Sequence, residues 1–187
     1  MPHAIIKLTL ELIKSAKGRC FVLFTSYRMM HLVAEGLTTQ MDYPVYMQGQ
    51  MSKRIILEKF TRHGNAVLLG TASFWEGVDV RGSTLSCVII DKLPFAAPDD
   101  PLLQAKMQDC QMQGKDPFAH IQLPQAVIAL KQGVGRLIRD NKDKGVLVIC
   151  DNRLVTRQYG QVFLKSLPPM RRTRSLEDAN TFLKHIN

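Results

Sequence analysis

Five short runs of apolar, largely β-branched residues constrain this chain more than anything else in it: Cys20–Thr25, Val45–Met47, Val67–Thr71, Leu85–Asp91 and Val146–Cys150. Within each run the apolar residues are nearly continuous. A strand with one wet face alternates apolar and polar side chains, whereas a strand covered on both faces does not. Between the runs lie segments with helical periodicity. Residues 3–16 place Ile5, Leu8 and Leu12 with Ile6, Leu10 and Ile13 on one broad face, and Gly18 stops that helix. Residues 27–36 and 52–62 follow, the second with Ser52 as N-cap; residues 154–166 and 175–185 close the series, and Ser175-Leu-Glu-Asp178 has the form of a capping box. The proline-rich stretch 94–118 is irregular, with a surface helix expected over Leu102–Met112. This alternation predicts an α/β fold: a mostly parallel sheet with helices on both faces, in three layers. No repeat, low-complexity tract or linker interrupts residues 1–187, which read as a single domain.

Length and composition narrow the class. At 187 residues the chain can bury a core without disulfides or metals. No apolar run approaches a membrane span, and Lys7, Glu11, Lys14, Lys17 and Arg19 leave no signal-peptide apolar block. A soluble cytoplasmic domain is expected. The cysteines at 20, 87, 110 and 150 are too dispersed for a local ligand set, and the histidines at 3, 31, 63, 120 and 185 form no pair on a helical turn. No metal held by this chain is expected.

The net charge of +9 is unevenly placed: residues 131–174 hold eleven basic side chains against three acidic ones. Such a concentration points to a polyanion, nucleic acid or nucleotide phosphate, or else to a solvated basic face without a partner.

In an open parallel sheet, ligands collect beyond the carboxyl ends of the strands, so those positions are candidates. Thr25 and Ser26 supply hydroxyls at a strand-to-helix turn that suits phosphate, or they cap the following helix. The stretch Gly70–Gly82 combines glycines with Thr71, Ser73, Glu76 and Asp79. It also holds Trp75, placed to stack on a base or to fill a seam. In Gln132-Gly-Val-Gly135-Arg136-Leu-Ile-Arg139, two glycines sit inside or at the end of a helix, where each costs about 1 kcal/mol. Arg136 and Arg139, three residues apart, can converge on one anion, although an arginine near a helix end can instead complement its dipole.

Phe21-Val-Leu-Phe-Thr-Ser-Tyr27, Ser73-Phe-Trp-Glu-Gly-Val-Asp79 with Gly82, and Gln132–Arg139 resemble motifs IV, V and VI of superfamily 2 helicases, in order and at fitting distances. Glu-Gly-x-Asp followed by Gln-x-x-Gly-Arg-x-x-Arg is similar to the XPD/DinG-like branch, with Trp75 standing where a small residue is common. The resemblance covers nearly the whole chain. It implies a RecA-like, P-loop-NTPase-like domain, the C-terminal motor half of an ATP-dependent DNA helicase of 5′-to-3′ polarity acting in repair or replication. By this likeness Arg136 and Arg139 are arginine fingers, oriented by Gln132. Glu76, Gly77, Asp79 and Gly135 lie on the nucleotide side, and Thr25, Ser26, Thr71 and Ser73 hold single-stranded DNA. The phosphate-cradling Walker A glycine–lysine box is absent from the chain. The family places that box, the magnesium site for ATP and an iron–sulfur cluster in an N-terminal domain, so this chain is expected to hydrolyse ATP only with that partner. The bacterial members also imply a DNA polymerase III accessory subunit as a partner. The competing reading is a stand-alone basic α/β module that binds nucleic acid or a protein without ATP chemistry.

Overall fold

The computed structural model describes residues 2–71, 74, 80, 85–135, 137, 138 and 143–187. Five strands, β1 (Cys20–Phe24), β2 (Val45–Met47), β3 (Val67–Thr71), β4 (Cys87–Ile90) and β5 (Val146–Ile149), form one sheet in the order β2-β3-β1-β4-β5. Every pairing is parallel, with Phe24 opposite Thr71 and Ile90 opposite Ile149. All five apolar runs are therefore strands, and the three central ones are buried at every position.

Because side chains alternate across a strand, each run feeds two cores at once. Phe21, Leu23, Leu68, Val88 and Ile90 point to one face, where α3 (Lys53–His63) adds Ile56 and Phe60. There α5 (Leu123–Val134) adds Ala126, Leu130 and Val134, and α7 (Gly160–Ser166) adds Phe163. Cys20, Val22, Phe24, Val67, Leu69, Cys87 and Ile89 point to the other face. That side is covered by α1 (Pro2–Ser15), α2 (Tyr27–Thr38) and α8 (Leu176–Ile186). Each fully buried Leu or Phe contributes about 1.5–3 kcal/mol, so both layers are needed to hold the sheet. The remaining helices are α4 (Pro101–Met112), capped by Asp100 on the N–H groups of Leu102 and Leu103, and the single turn α6 (Arg153–Thr156).

Local signals were obeyed unevenly. Gly18 ends α1 with φ +85°, and a Cβ there would lie 2.4 Å from the Asn65 carbonyl group, so both conformation and packing require glycine. Ser52 occupies the N-cap of α3 without a side-chain capping bond. At α8, Ser175 Oγ accepts the Asp178 N–H at 3.1 Å, but the return runs through Thr173, whose hydroxyl accepts the Ser175 N–H and donates to Asp178. The expected helix 154–166 is broken into α6 and α7. A Cβ at Gly160 would meet the Leu154 carbonyl oxygen at 2.0 Å, so the two pieces fold against each other at a contact only glycine permits. Before α5, residues Phe118–Gln122 form a π-helical turn that runs into it without a break.

Candidate functional site

Parallel strands bring their carboxyl ends to one edge, where the residues that follow become neighbours. The helix after β1, α2, covers one face, and α5, which lies between β4 and β5 in the chain, covers the other, which opens a crevice between the adjacent strands β1 and β4. Thr25 and Asp91 meet there. The Thr25 N–H donates to Asp91 Oδ1 at 3.0 Å, and its hydroxyl lies 3.5 Å from Oδ2. Burial pushes the Asp91 carboxyl above the usual carboxylate range, against the hydrogen bonds from Thr25 and the charge of Lys92.

On the β3 side of the crevice the site is built from neutral groups. Ser26 is extended, and its Oγ accepts the Met29 N–H at 3.3 Å, capping α2. Gln48, just past β2, accepts both the Thr71 N–H at 2.7 Å and the Thr71 hydroxyl at 2.9 Å through Oε1. Its amide nitrogen donates to the Tyr27 hydroxyl at 2.7 Å. Phe24 and Thr71 are register partners one strand spacing, ~4.8 Å, apart, and Thr25 and Ser26 follow Phe24 directly at the same edge. Three of the four candidate DNA-binding hydroxyls therefore come together; Ser73 lies outside the described residues. Thr71 is nearly buried, so Thr25 and Ser26 are the exposed hydroxyls of the set. Gly70 is part of β3, and the space above it is filled by Phe74, whose Cδ1 would lie 2.9 Å from a Cβ there. Packing, rather than a ligand, accounts for that glycine.

On the β5 side the edge is charged and closed upon itself. Asp151 is buried, and its Oδ2 accepts the Leu93 N–H at 2.9 Å. The Arg153 side chain reaches the same carboxylate through Nη2 at 2.6 Å and Nε at 3.0 Å, and the Arg153 N–H adds a further bond at 3.0 Å. Burial alone would raise the Asp151 carboxyl, but the hydrogen bonds from Arg153 and Leu93 hold it below its ordinary value. The Arg153 guanidinium sits 5.5 Å over the ring of Phe95. Phe95 stacks on Phe118 at 5.8 Å and meets Tyr159 and Phe163 edge-on.

The second group of candidate residues is elsewhere. Gln132 is exposed on the last turn of α5, and Gly135 is its exposed C-cap. A Cβ on Gly145 would meet Leu137 Cδ1 at 2.5 Å and the Ser86 carbonyl at 3.0 Å. Ser86 precedes β4 and Gly145 precedes β5, so α5 ends at the amino-terminal edge of the sheet. Gln132 and Gly135 thus do not join Thr25, Ser26 and Thr71. They lie away from the positions that follow the strands' carboxyl ends. Arg136, Arg139, Glu76, Gly77, Asp79 and Trp75 lie outside the described residues.

Asp91, Gln48 and Asp151 are the polar residues that sequence reading passed over, although each directly or nearly follows a strand. Asp91 closes an apolar run, Gln48 follows a strand of only three residues, and Asp151 is one acid within a basic block, with no local pattern that marks its role. Among the described residues, no group of three or more His, Cys, Asp or Glu is placed to hold a metal. Cys20 and Cys87 are buried register partners on β1 and β4, Cys110 is buried on α4, and burial with the nearby Asp91 carboxylate pushes the Cys150 thiol up to about 11. These residues do not fit an iron–sulfur cluster. Among the described residues no helix is long and apolar enough to cross a membrane.

A family model, the helicase C-terminal domain, matches residues 9–170. Over 172 residues the chain is 61% identical to the ATP-dependent DNA helicase YoaA of Escherichia coli (strain K12), covering 92% of this chain and 27% of that protein. It is 39% identical over 176 residues to the ATP-dependent helicase DinG of Mycobacterium tuberculosis (strain ATCC 25618 / H37Rv), covering 94% of this chain and 26% of that protein. A solved XPD helicase structure superposes with a TM-score of 0.68 at 24% identity, covering 89% of this chain and 30% of that one, a likeness of RecA-like fold. The chain thus spans 26–27% of the length of these two curated relatives.

Proposed function

The chain belongs to the helicase C-terminal domain family, and from that membership we propose that residues 1–187 form the second RecA-like motor domain of an ATP-dependent DNA helicase. The observation that carries this reading is the division of candidate residues between the two edges of one sheet. Hydroxyls gather at one edge, and the exposed end of α5 stands at the other.

At the carboxyl edge, Thr25, Ser26 and Thr71 hold the phosphates of single-stranded DNA, a role Ser73 shares by its motif. Hydroxyl and backbone donors contact the phosphodiester backbone without reading sequence, as a translocating motor requires. At the far end of α5, Gln132 and Gly135 face the nucleotide, with Arg136 and Arg139 bringing positive charge to the γ-phosphate as negative charge develops there. Glu76, Gly77 and Asp79 serve the nucleotide as well by their motif, the two acids meeting the ribose. The exposed Gln132 amide and the bare Cα of Gly135 fit a phosphate-bearing ligand approaching from outside the domain. ATP with Mg²⁺, when bound against an N-terminal helicase domain, supplies the free energy that opens and closes the cleft. Alternating grip on DNA then follows from population shifts between two arrangements of the domains.

The likeness to YoaA and DinG also supports a cytoplasmic role in DNA repair or replication with 5′-to-3′ polarity, and a DNA polymerase III accessory subunit as a further partner. The test is DNA-stimulated ATP hydrolysis by the full-length helicase carrying this domain. Arg136→Ala is expected to reduce hydrolysis by about a thousandfold or more, the lower end of the range for losing an arginine finger. Hydrolysis within threefold of wild type would leave only a nucleic-acid-binding module.

A further inference from the structure

The two edges of the sheet are joined by one unbroken series of contacts. It starts at Thr25, whose N–H is held by Asp91 at 3.0 Å. Two residues beyond Asp91, the Leu93 N–H is held by Asp151 at 2.9 Å. Asp151 grips Arg153 through Nε and Nη2, and Arg153 lies over the ring of Phe95. Phe95 stacks on Phe118, which also packs against Tyr159 at 5.2 Å.

Phe118 opens the π-helical turn that continues directly into α5, so residues 118–134 form one rod. At 1.5 Å per residue this rod is about 25 Å long. Its first turn lies against the carboxyl edge through Phe95, and its last turn presents Gln132 beside the amino edge. Ala126, Leu130 and Val134, spaced four residues apart, bind its inner face to the core. Packed along its inner face, such a rod shifts by rotation or sliding against the core.

Nothing in the helicase reading uses Asp151, Arg153 or the aromatic cluster, yet their geometry is too specific for simple filling. Asp151 is buried, satisfied by backbone and guanidinium donors together, and placed between the DNA-side turn and the rod. A carboxylate–guanidinium pair with two donors on one acid group fixes orientation as well as distance.

Resting on the helicase reading, we propose that the Asp151–Arg153 latch, with Phe95 and Phe118, is a coupling element that makes ATP turnover respond to DNA. It holds the amino end of the rod against the edge that binds DNA, so a shift of the Thr25 turn on binding reaches Gln132 and the motif that follows it. Arg153 is a positioning residue in this scheme, touching neither DNA nor nucleotide.

The experiment compares ATP hydrolysis by the full-length helicase with and without single-stranded DNA, alongside DNA affinity and thermal stability, for Arg153→Lys, Arg153→Ala and Phe118→Leu. The expected result is at least a fivefold loss in stimulation by DNA for Arg153→Ala and Phe118→Leu, and a smaller loss for Arg153→Lys, which keeps the charge but not the fork. DNA-free hydrolysis and the Kd for DNA should stay within twofold. Stimulation within twofold of wild type in the folded variants overturns the proposal. So does an equal loss of basal and stimulated rates, which marks a purely structural role. If Arg153→Ala does not fold, the other two variants decide by the same readout. Arg136→Ala run in parallel separates the two ideas: if it leaves hydrolysis intact, the helicase reading itself is wrong, whereas its failure beside an unaffected Arg153→Ala removes only the coupling element.

Discussion

Asp91 and Asp151 stand past adjacent strands on the same edge of one sheet, and their surroundings have made them opposites. Asp91 takes its hydrogen bonds from Thr25, and burial lifts its carboxyl. Asp151 has a guanidinium within 2.6 Å and is held low. Burial disfavours the charged form in both cases; at Asp151 the hydrogen bonds from the Arg153 side chain and from the Leu93 and Arg153 N–H groups outweigh it, whereas at Asp91 those from Thr25 and Lys92, with the Lys92 charge, do not. The half of the edge around Asp91 is left with neutral, exposed hydroxyls at Thr25 and Ser26, open to a ligand. The half around Asp151 closes on itself. An open edge and a closed one are distinguished here by one arginine.

The sharpest way to break this contrast is Asp151→Ala. It leaves the buried Leu93 N–H without an acceptor and Arg153 without its acid. Discounted for the partial exposure of Arg153, the expected loss is about 2 kcal/mol in urea unfolding. A loss below about 0.5 kcal/mol would show that the latch does not hold the edge. A comparable loss, about 2 kcal/mol, is expected for Gly160→Ala, because the obstacle to a Cβ is the Leu154 backbone and cannot rotate away.

Ser26→Asp addresses the open half. Aspartate caps a helix as well as serine does, so stability should change by less than about 0.5 kcal/mol. A negative charge among the phosphate-facing hydroxyls should nevertheless weaken single-stranded DNA binding by about tenfold or more at low salt. If fluorescence anisotropy shows unchanged affinity, Ser26 is a helix cap and nothing else.

The smallest effect is the dependence of stability on pH. For Asp151, with its pKa lowered on folding, the stabilisation is present above the ordinary carboxylate value and disappears as pH falls through the lowered one. The advantage of wild type over Asp151→Asn should therefore shrink on acidification. For Asp91, with its pKa raised, stability is present below the ordinary value and lost as pH rises through the raised one. Asp91→Asn should gain on wild type across that rise, by less than about 1 kcal/mol. Urea melts between pH 3 and 7 would show slopes of opposite sign, and parallel slopes would erase the distinction between the two acids.

Most of the fold was legible because burial on both faces leaves a local signature. Continuous apolar runs became the five strands, and the periodic segments became helices with boundaries near those expected. The break between α6 and α7 was not legible, since the 2.0 Å approach of Gly160 to Leu154 depends on where two helices fold back. The π-helical turn at Phe118–Gln122 has no period to detect within five residues. At the site, hydroxyls at Thr25, Ser26 and Thr71 were found from their place after strands. Gln48 and Asp91 went unnoticed because their importance lies in what they touch: Thr71 is 23 residues from Gln48, and Thr25 is 66 from Asp91.

By itself the sequence determined the layered parallel sheet, the positions of most helices and the motif segments, all properties of side-chain type at short spacing. Strand order belonged to tertiary structure alone, and with it the gathering of Thr25, Ser26 and Thr71 at one edge and the placing of Gln132 at the other. The reason is physical. Register and crossover bring together residues far apart in the chain, and the sign of a buried charge's pKa shift depends on which of those residues arrives beside it.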